Sequence, residues 1–166
     1  MRTWEMTVDA KKNSIAELGG EGGTPAVVPF NPSLQYGDVL TVETEITNTW
    51  NSGGGPLLTN ADGVPVTIDP DTHEVTFRWD EYNPSNSPYQ NKYPGALKAK
   101  FGVGCLVGSL DGGATFFAIG TRFSMMYLGG AGDPPTELQM FYWDVNTGDN
   151  SGSIAFTVRL TSPTAP

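Results

Sequence analysis

Several classes of protein are excluded by what this chain lacks. Cys105 is the single cysteine among 166 residues. An internal disulfide is therefore impossible, and its place in an apolar run predicts a small buried hydrophobe. Apolar runs are short, well under the roughly 18 consecutive residues that a membrane-spanning helix needs. Lys and Arg total 9 against 18 Asp and Glu, giving a formal net charge of -9. Polyanion binding requires Lys and Arg to neutralise phosphates, so this balance argues against nucleic acid. The acidity is compatible with a bound cation and equally with solubility alone. Residues 1–6 have no apolar stretch of the signal-peptide kind. An extracellular protein with this sequence would have lost its signal or would leave the cell by another route.

Catalytic groups are also sparse. His73 is the only histidine, and its setting between two strand-like runs reads as a solvated turn. Asp80 and Glu81 are neighbouring carboxylates, but a retaining glycosidase places its pair about 5 Å apart across a cleft, and adjacent strand residues point to opposite faces. Without a nucleophile and base or an acid and base pair in view, the expectation is binding without turnover.

What the chain does have is turn chemistry. Gly 21 and Pro 13, with 38% hydrophobic residues, fit short strands joined by turns rather than helices. The length predicts one domain over residues 1–160, followed by a tail or linker stub at 161–166. Strand patterns fall at residues 3–8, then from Val39, where Leu40, Val42, Thr44 and Ile46 take one face and Thr41, Glu43 and Glu45 the other. Further runs lie at 64–68 and 74–79 as a hairpin, at 122–128, at 137–143 and from Ile154 to Leu160. Residues 11–25 form a polar connection, and residues 82–94 a long loop without apolar period. Trp79, Tyr142 and Trp143 read as packing aromatics rather than sugar platforms. Together these predict an all-β sandwich of two antiparallel sheets.

Between the last two runs stands Trp143-Asp144-Val145-Asn146-Thr147-Gly148-Asp149-Asn150-Ser151-Gly152-Ser153. Calcium takes six to eight oxygen ligands and tolerates irregular geometry. Asp144 could bind through both carboxylate oxygens, Asp149 and Asn150 through one each, and Asn146 or Thr147 through a main-chain carbonyl freed by the turn that Gly148 permits. The EF-hand pattern fails, because Asp149 would occupy the glycine position and Ala155 that of the bidentate glutamate. A polar turn without metal uses the same residue types, so spacing leaves both readings open.

The Asp-Val, turn, Asp-Asn-Ser-Gly-Ser run, followed by an alternating strand, resembles the C-terminal signature of the LecA-like family of calcium-dependent, galactose-binding bacterial lectins. Thr3-Trp4-Glu5 onward, Phe30-Asn31-Pro32, Gly37-Asp38-Val39-Leu40-Thr41-Val42, and Gly104 to Gly108 with Gly112-Gly113 and Phe116-Phe117 are similar to its earlier strands, in the same order. The resemblance implies a jelly-roll, galactose-binding-domain-like sandwich holding Ca2+, with a main-chain carbonyl of Trp50 completing the metal site. It also implies that a galactose-type glycan is the partner, bound through two adjacent hydroxyls on the metal. Asp144, Val145, Asp149 and Asn150 would contact the sugar. The family's histidine-containing sugar loop has no match here, and Gln90 is the residue that could take the place of its glutamine. A structural or adhesive sandwich with a purely structural calcium is the alternative, a glycosidase accessory domain a more distant one, and the number of copies in an assembly is left open.

Overall fold

The computed structural model describes residues 1–53, 58–63, 67, 68, 71, 72, 75, 76, 92–130, 132–144 and 146–163. Gln90 and Val145, along with His73, Trp79, Asp80 and Glu81, lie outside the described residues. The strands are β1 (Arg2–Asp9), β2 (Glu17–Leu18), β3 (Glu21–Gly22), β4 (Ala26–Pro29), β5 (Val39–Glu43), β6 (Trp50–Ser52), β7 (Leu58–Thr59) and β8 (Thr67–Ile68). They continue as β9 (Val75–Thr76), β10 (Leu106–Ser109), β11 (Phe117–Ala118), β12 (Arg122–Met126), β13 (Glu137–Tyr142), β14 (Asn150–Ser151) and β15 (Ser153–Thr161). Two 3-10 turns, Pro94–Leu97 and Thr147–Asp149, supply the helical content, and no helix of the described residues is long and apolar enough to cross a membrane.

The protein is an all-β sandwich. One four-stranded antiparallel sheet runs β1-β15-β5-β12 and another β11-β10-β13-β4. A smaller sheet, β14-β6-β7, includes the strand that leaves the Asp144 loop. Strand alternation decides what faces inward. On β15, Ile154, Phe156, Val158 and Leu160 are buried, whereas Ala155 is exposed and Thr157 and Arg159 are half-buried. Across the ladder Val8 pairs with Ile154, Met6 with Phe156 and Trp4 with Val158, so apolar residues share one face. Val28, Leu106, Leu138 and Met140 from the second sheet close this core.

The second sheet is buried on both faces where β10 meets β13. Val107 and Phe141 point away from the main core into another cluster with Ile15, Ala96, Cys105 and Trp143, against which Tyr93, Phe101 and Phe116 pack. Gly108 is required here, because a Cβ would lie 2.8 Å from both the Ile119 and the Phe117 side chains. Cys105 is a buried free thiol, and burial together with the nearby Asp62 charge pushes its pKa up to about 12.

The β5 expectation needs correction at its end. The strand stops at Glu43, and Ile46 is 65% exposed. Asn48 N donates to Glu45 O at 3.0 Å, and the Thr44 hydroxyl donates to Ala155 O at 2.7 Å. These bonds give the backbone a turn in place of further ladder. The chain then re-enters as β6, carrying Trp50 into the core. The hairpin read at residues 64–79 is present as the β8–β9 pair. Strands 122–128 and 137–143, adjacent in sequence, are separated into different sheets as β12 and β13.

Phe156→Ala should cost about 3–5 kcal/mol, since it leaves a cavity beside Trp50. Thr157→Ala, on the outer face, should shift stability by about 0.5 kcal/mol or less. Urea denaturation of both variants checks the assignment of faces; similar losses would contradict it.

Candidate metal and sugar loop

The loop that follows β13 carries the chain from one sheet of the sandwich to the other, because β13 belongs to the second sheet and β15 to the first. Its backbone is organised by its own side chains. Asp144 Oδ1 accepts from Asn146 N at 2.9 Å, and Asn146 Oδ1 accepts from Gly148 N at 3.1 Å as the cap of the Thr147–Asp149 turn. Short side-chain acceptors bonding two residues onward are the usual means of holding such turns. Gly152, at φ 90, then lets β14 approach β6, with its position 3.3 Å from Trp50 Cα for an added Cβ.

Burial is uneven along the loop. Asp144 is 3%, Thr147 1% and Asn150 5% exposed. Asn146 and Asp149 are half-buried, and Gly148 is exposed. Two groups stand out: Thr147 Oγ1 and Asn150 Oδ1 are sealed from solvent and have no hydrogen-bond partner among the described residues. Buried polar atoms without partners are costly and few, so each calls for an explanation such as a bound ion or water. One carboxylate oxygen of Asp149 is likewise sealed from solvent.

The two carboxylates act on a common neighbour. Tyr142, fully buried at the end of β13, has its hydroxyl pKa held well above the ordinary value. Burial is the main cause, a hydrogen bond with Ser52 opposes it, and the Asp144 and Asp149 charges add to it. Both acids therefore lie within electrostatic reach of one hydroxyl. Among the described residues no three His, Cys, Asp or Glu side chains come together as a metal group. The candidate donor set is accordingly mixed: two carboxylates, an amide oxygen, a hydroxyl and main-chain carbonyls, which is chemistry suited to calcium rather than to zinc.

Trp50 is placed beside this loop. Its strand β6 pairs with β14, where Asn150 faces Ser52 and Ser151 faces Asn51. Its indole is a core element, 1% exposed, edge-on to Tyr142 at 4.7 Å, with Nε1 donating to Gly104 O at 2.9 Å. The fold thus sets the strand of Trp50 beside β14, while Asp144, Asn146, Thr147, Asp149 and Asn150 share the loop that leads into it. Gln90 and Val145 lie outside the described residues, so their relation to the loop is unassigned.

A contribution that sequence reading missed comes from residues 10–24. Instead of an independent polar connection, this segment extends the edge of β13: Tyr142 N donates to Asn13 O and Ile15 N to Tyr142 O, both at 2.9 Å. Ser14 is fully buried, and its hydroxyl donates to Asp144 O at 2.8 Å. Asn150 Nδ2 donates to Ala10 O at 3.2 Å. The Ile15-Ala16 pair, apolar within a polar run, was the signal available in the sequence.

No family model, curated protein or solved structure matches the chain.

Tyr142→Phe should destabilise the fold by about 1–3 kcal/mol through the lost buried hydrogen bond. The pH dependence has a definite sign. A folded pKa above the unfolded value of about 10 gives a contribution intact below pH 10 and lost as pH rises beyond it, because only the unfolded chain ionises readily. Alkaline denaturation should therefore be less steep for the phenylalanine variant. Equal slopes would show that the hydroxyl is not held neutral in the folded state.

Proposed function

We propose that the protein is a calcium-dependent carbohydrate-binding module that takes galactose-type sugars and does not turn them over. The observation that carries this reading is the pair of sealed, unpartnered oxygens, Thr147 Oγ1 and Asn150 Oδ1, in the same short loop as Asp144 and Asp149. A cation coordinated there would satisfy the two orphaned oxygens, and two carboxylates would balance its charge. Asp144, Asp149, Asn150 and the Asn146–Thr147 backbone are the residues that would hold it, with Trp50 adjoining. Bound calcium would supply coordination positions for two vicinal hydroxyls.

Sugar access is supported on one side only. The exposed Gly148 and the half-buried Asn146 and Asp149 form the rim on which a diol could approach, and carboxylate oxygens there would accept charge-assisted hydrogen bonds from it. The likeness of residues 143–153 to the LecA-like signature supplies the sugar class, with Gln90 and Val145 as further contacts. The burial of Asp144, Thr147 and Asn150 favours a second reading, in which calcium only stiffens the loop of a structural or adhesive sandwich.

Saturating calcium should raise the melting temperature, since a ligand at about 100 times its dissociation constant adds about 2.7 kcal/mol to the folded state. Asp144→Ala should lose this increment and all calcium-dependent retention on immobilised galactose, with circular dichroism unchanged. Identical melting in calcium and chelator would remove the metal reading. A calcium increment with no further response to galactose or to a glycan array would leave the structural role.

A further inference from the structure

We propose that the strap formed by residues 10–23 is a wall of the cation site, in which Ser14 and the Ala10 carbonyl position the ligand groups of Asp144 and Asn150. Cation binding and strap closure are then one coupled equilibrium. The inference rests on the calcium reading above and adds to it a positioning partner within the chain.

The Asn150 amide carries the argument furthest. Its Nδ2 is held by Ala10 O at 3.2 Å, so the carbonyl branch of the same planar group is turned to the other side. That branch is the sealed Oδ1 without a partner. Ala10 thereby selects which end of the amide is offered to the loop; without it, the amide could rotate and present a donor, which repels a cation. Ala10 is itself fixed, since its N–H donates to Gly152 O at 2.9 Å.

Ser14 acts on the other end of the loop. Its hydroxyl bonds the Asp144 carbonyl at 2.8 Å in a fully buried position and so sets the peptide plane leaving Asp144. Ser14 O in turn accepts from Gly23 N at 2.8 Å, closing the strap on itself. Between these points, Gly22 lies against Thr147. At φ +84, a Cβ on Gly22 would fall 2.8 Å from Thr147 Cγ2 and would also strike the Ala16 carbonyl. With its methyl turned to the strap, the Thr147 hydroxyl on the same carbon points elsewhere and remains unpartnered.

Contacts other than those to the loop also hold the strap: Asn13 and Ile15 bond the Tyr142 backbone at the edge of β13, and Asn13 Nδ2 donates to Thr24 O at 2.9 Å. Ile15 and Ala16 are buried, but the Lys11–Glu21 pair at 2.7 Å is largely exposed and contributes little. A Glu17–Lys92 pair and the Tyr93 hydroxyl on Gly23 O at 3.1 Å add to the attachments. A strap that shares three hydrogen bonds with the loop is an element whose opening a cation bound in that loop would oppose.

The test begins with calorimetric titration of the full chain with calcium and with magnesium. A Glu-specific protease is then used to follow cleavage at Glu17 and Glu21, in chelator and in saturating calcium. Calcium should slow cleavage at these sites by about tenfold or more. Ser14→Ala should weaken calcium binding by about tenfold, the usual scale for loss of a group that orients a ligand. Its melting temperature should fall in chelator, through the lost buried hydrogen bond, and fall further in saturating calcium, and that extra fall separates positioning from general destabilisation. If wild-type protein binds no calcium, the metal reading fails and this inference with it. If calcium binds but cleavage is unaffected, or Ser14→Ala binds calcium as wild type does, the coupling alone is overturned. Should Ser14→Ala fail to fold, the wild-type cleavage comparison decides.

Discussion

The placement of Tyr142 is the constraint on which the rest of the structure depends. Its ring enters the main core edge-on to Trp50, its hydroxyl meets Ser52 on β6, and its backbone pairs on one edge with β10 and on the other with Asn13 and Ile15. Through one residue the two large sheets, the small sheet and the N-terminal strap are registered against each other. A buried aromatic with a polar tip does this well, because the ring is held by packing while the hydroxyl admits only positions with a hydrogen-bond partner. Two residues further on, the chain has to leave the sheet, and Asp144 begins the loop.

That origin explains why the loop is so heavily buried. It links opposed sheets across the end of the sandwich, and its inner backbone groups cannot reach water. They are satisfied from three directions: by its own side chains at Asp144 and Asn146, by β6, and by the strap at Ala10 and Ser14. Thr147 Oγ1 and Asn150 Oδ1 are left without a hydrogen-bond partner among the described residues. Buried oxygens left over in this way would suit a cation, since a metal ion accepts lone pairs and needs no hydrogen-bond donor.

The glycine pattern follows from the same crowding rather than from flexibility. Gly104 passes so close to β6 and β7 that a Cβ would lie 2.8 Å from Ser52 Oγ and would strike the Thr59 hydroxyl as well. Its carbonyl can then receive the Trp50 indole N–H. Elsewhere a carboxylate organises a turn through hydrogen bonds: Asp111 accepts from Ala114 N, Thr115 N and the Thr115 and Ser109 hydroxyls, and against the opposing effect of partial burial these bonds hold its pKa below the ordinary range. Around Asp111 the hydrogen-bond donors converge on the acid, whereas the Asp144 loop leaves Thr147 Oγ1 and Asn150 Oδ1 without a partner among the described residues.

The sequence by itself determined strand runs at 3–8, 122–128, 137–143 and 154–160, and with them the all-β class; the alternation from Ile154 to Leu160 is the clearest, because a period of two has only one way to bury its apolar face. The β8–β9 hairpin and the burial of Cys105 were legible for similar local reasons. So was the mixed oxygen chemistry of residues 144–150. Tertiary structure alone decided three other things. It ended β5 at Glu43, where hydrogen bonds to Ala155 and Thr121 compete with continued pairing. It sent β12 and β13 to different sheets, since sequence adjacency fixes neither pairing nor layer. And it folded Ala10, Ser14 and Gly22 against a loop more than a hundred residues away. No local pattern could reveal that contact, because it is made by backbone carbonyls, one hydroxyl and the absence of a Cβ, which leave almost no mark on hydropathy.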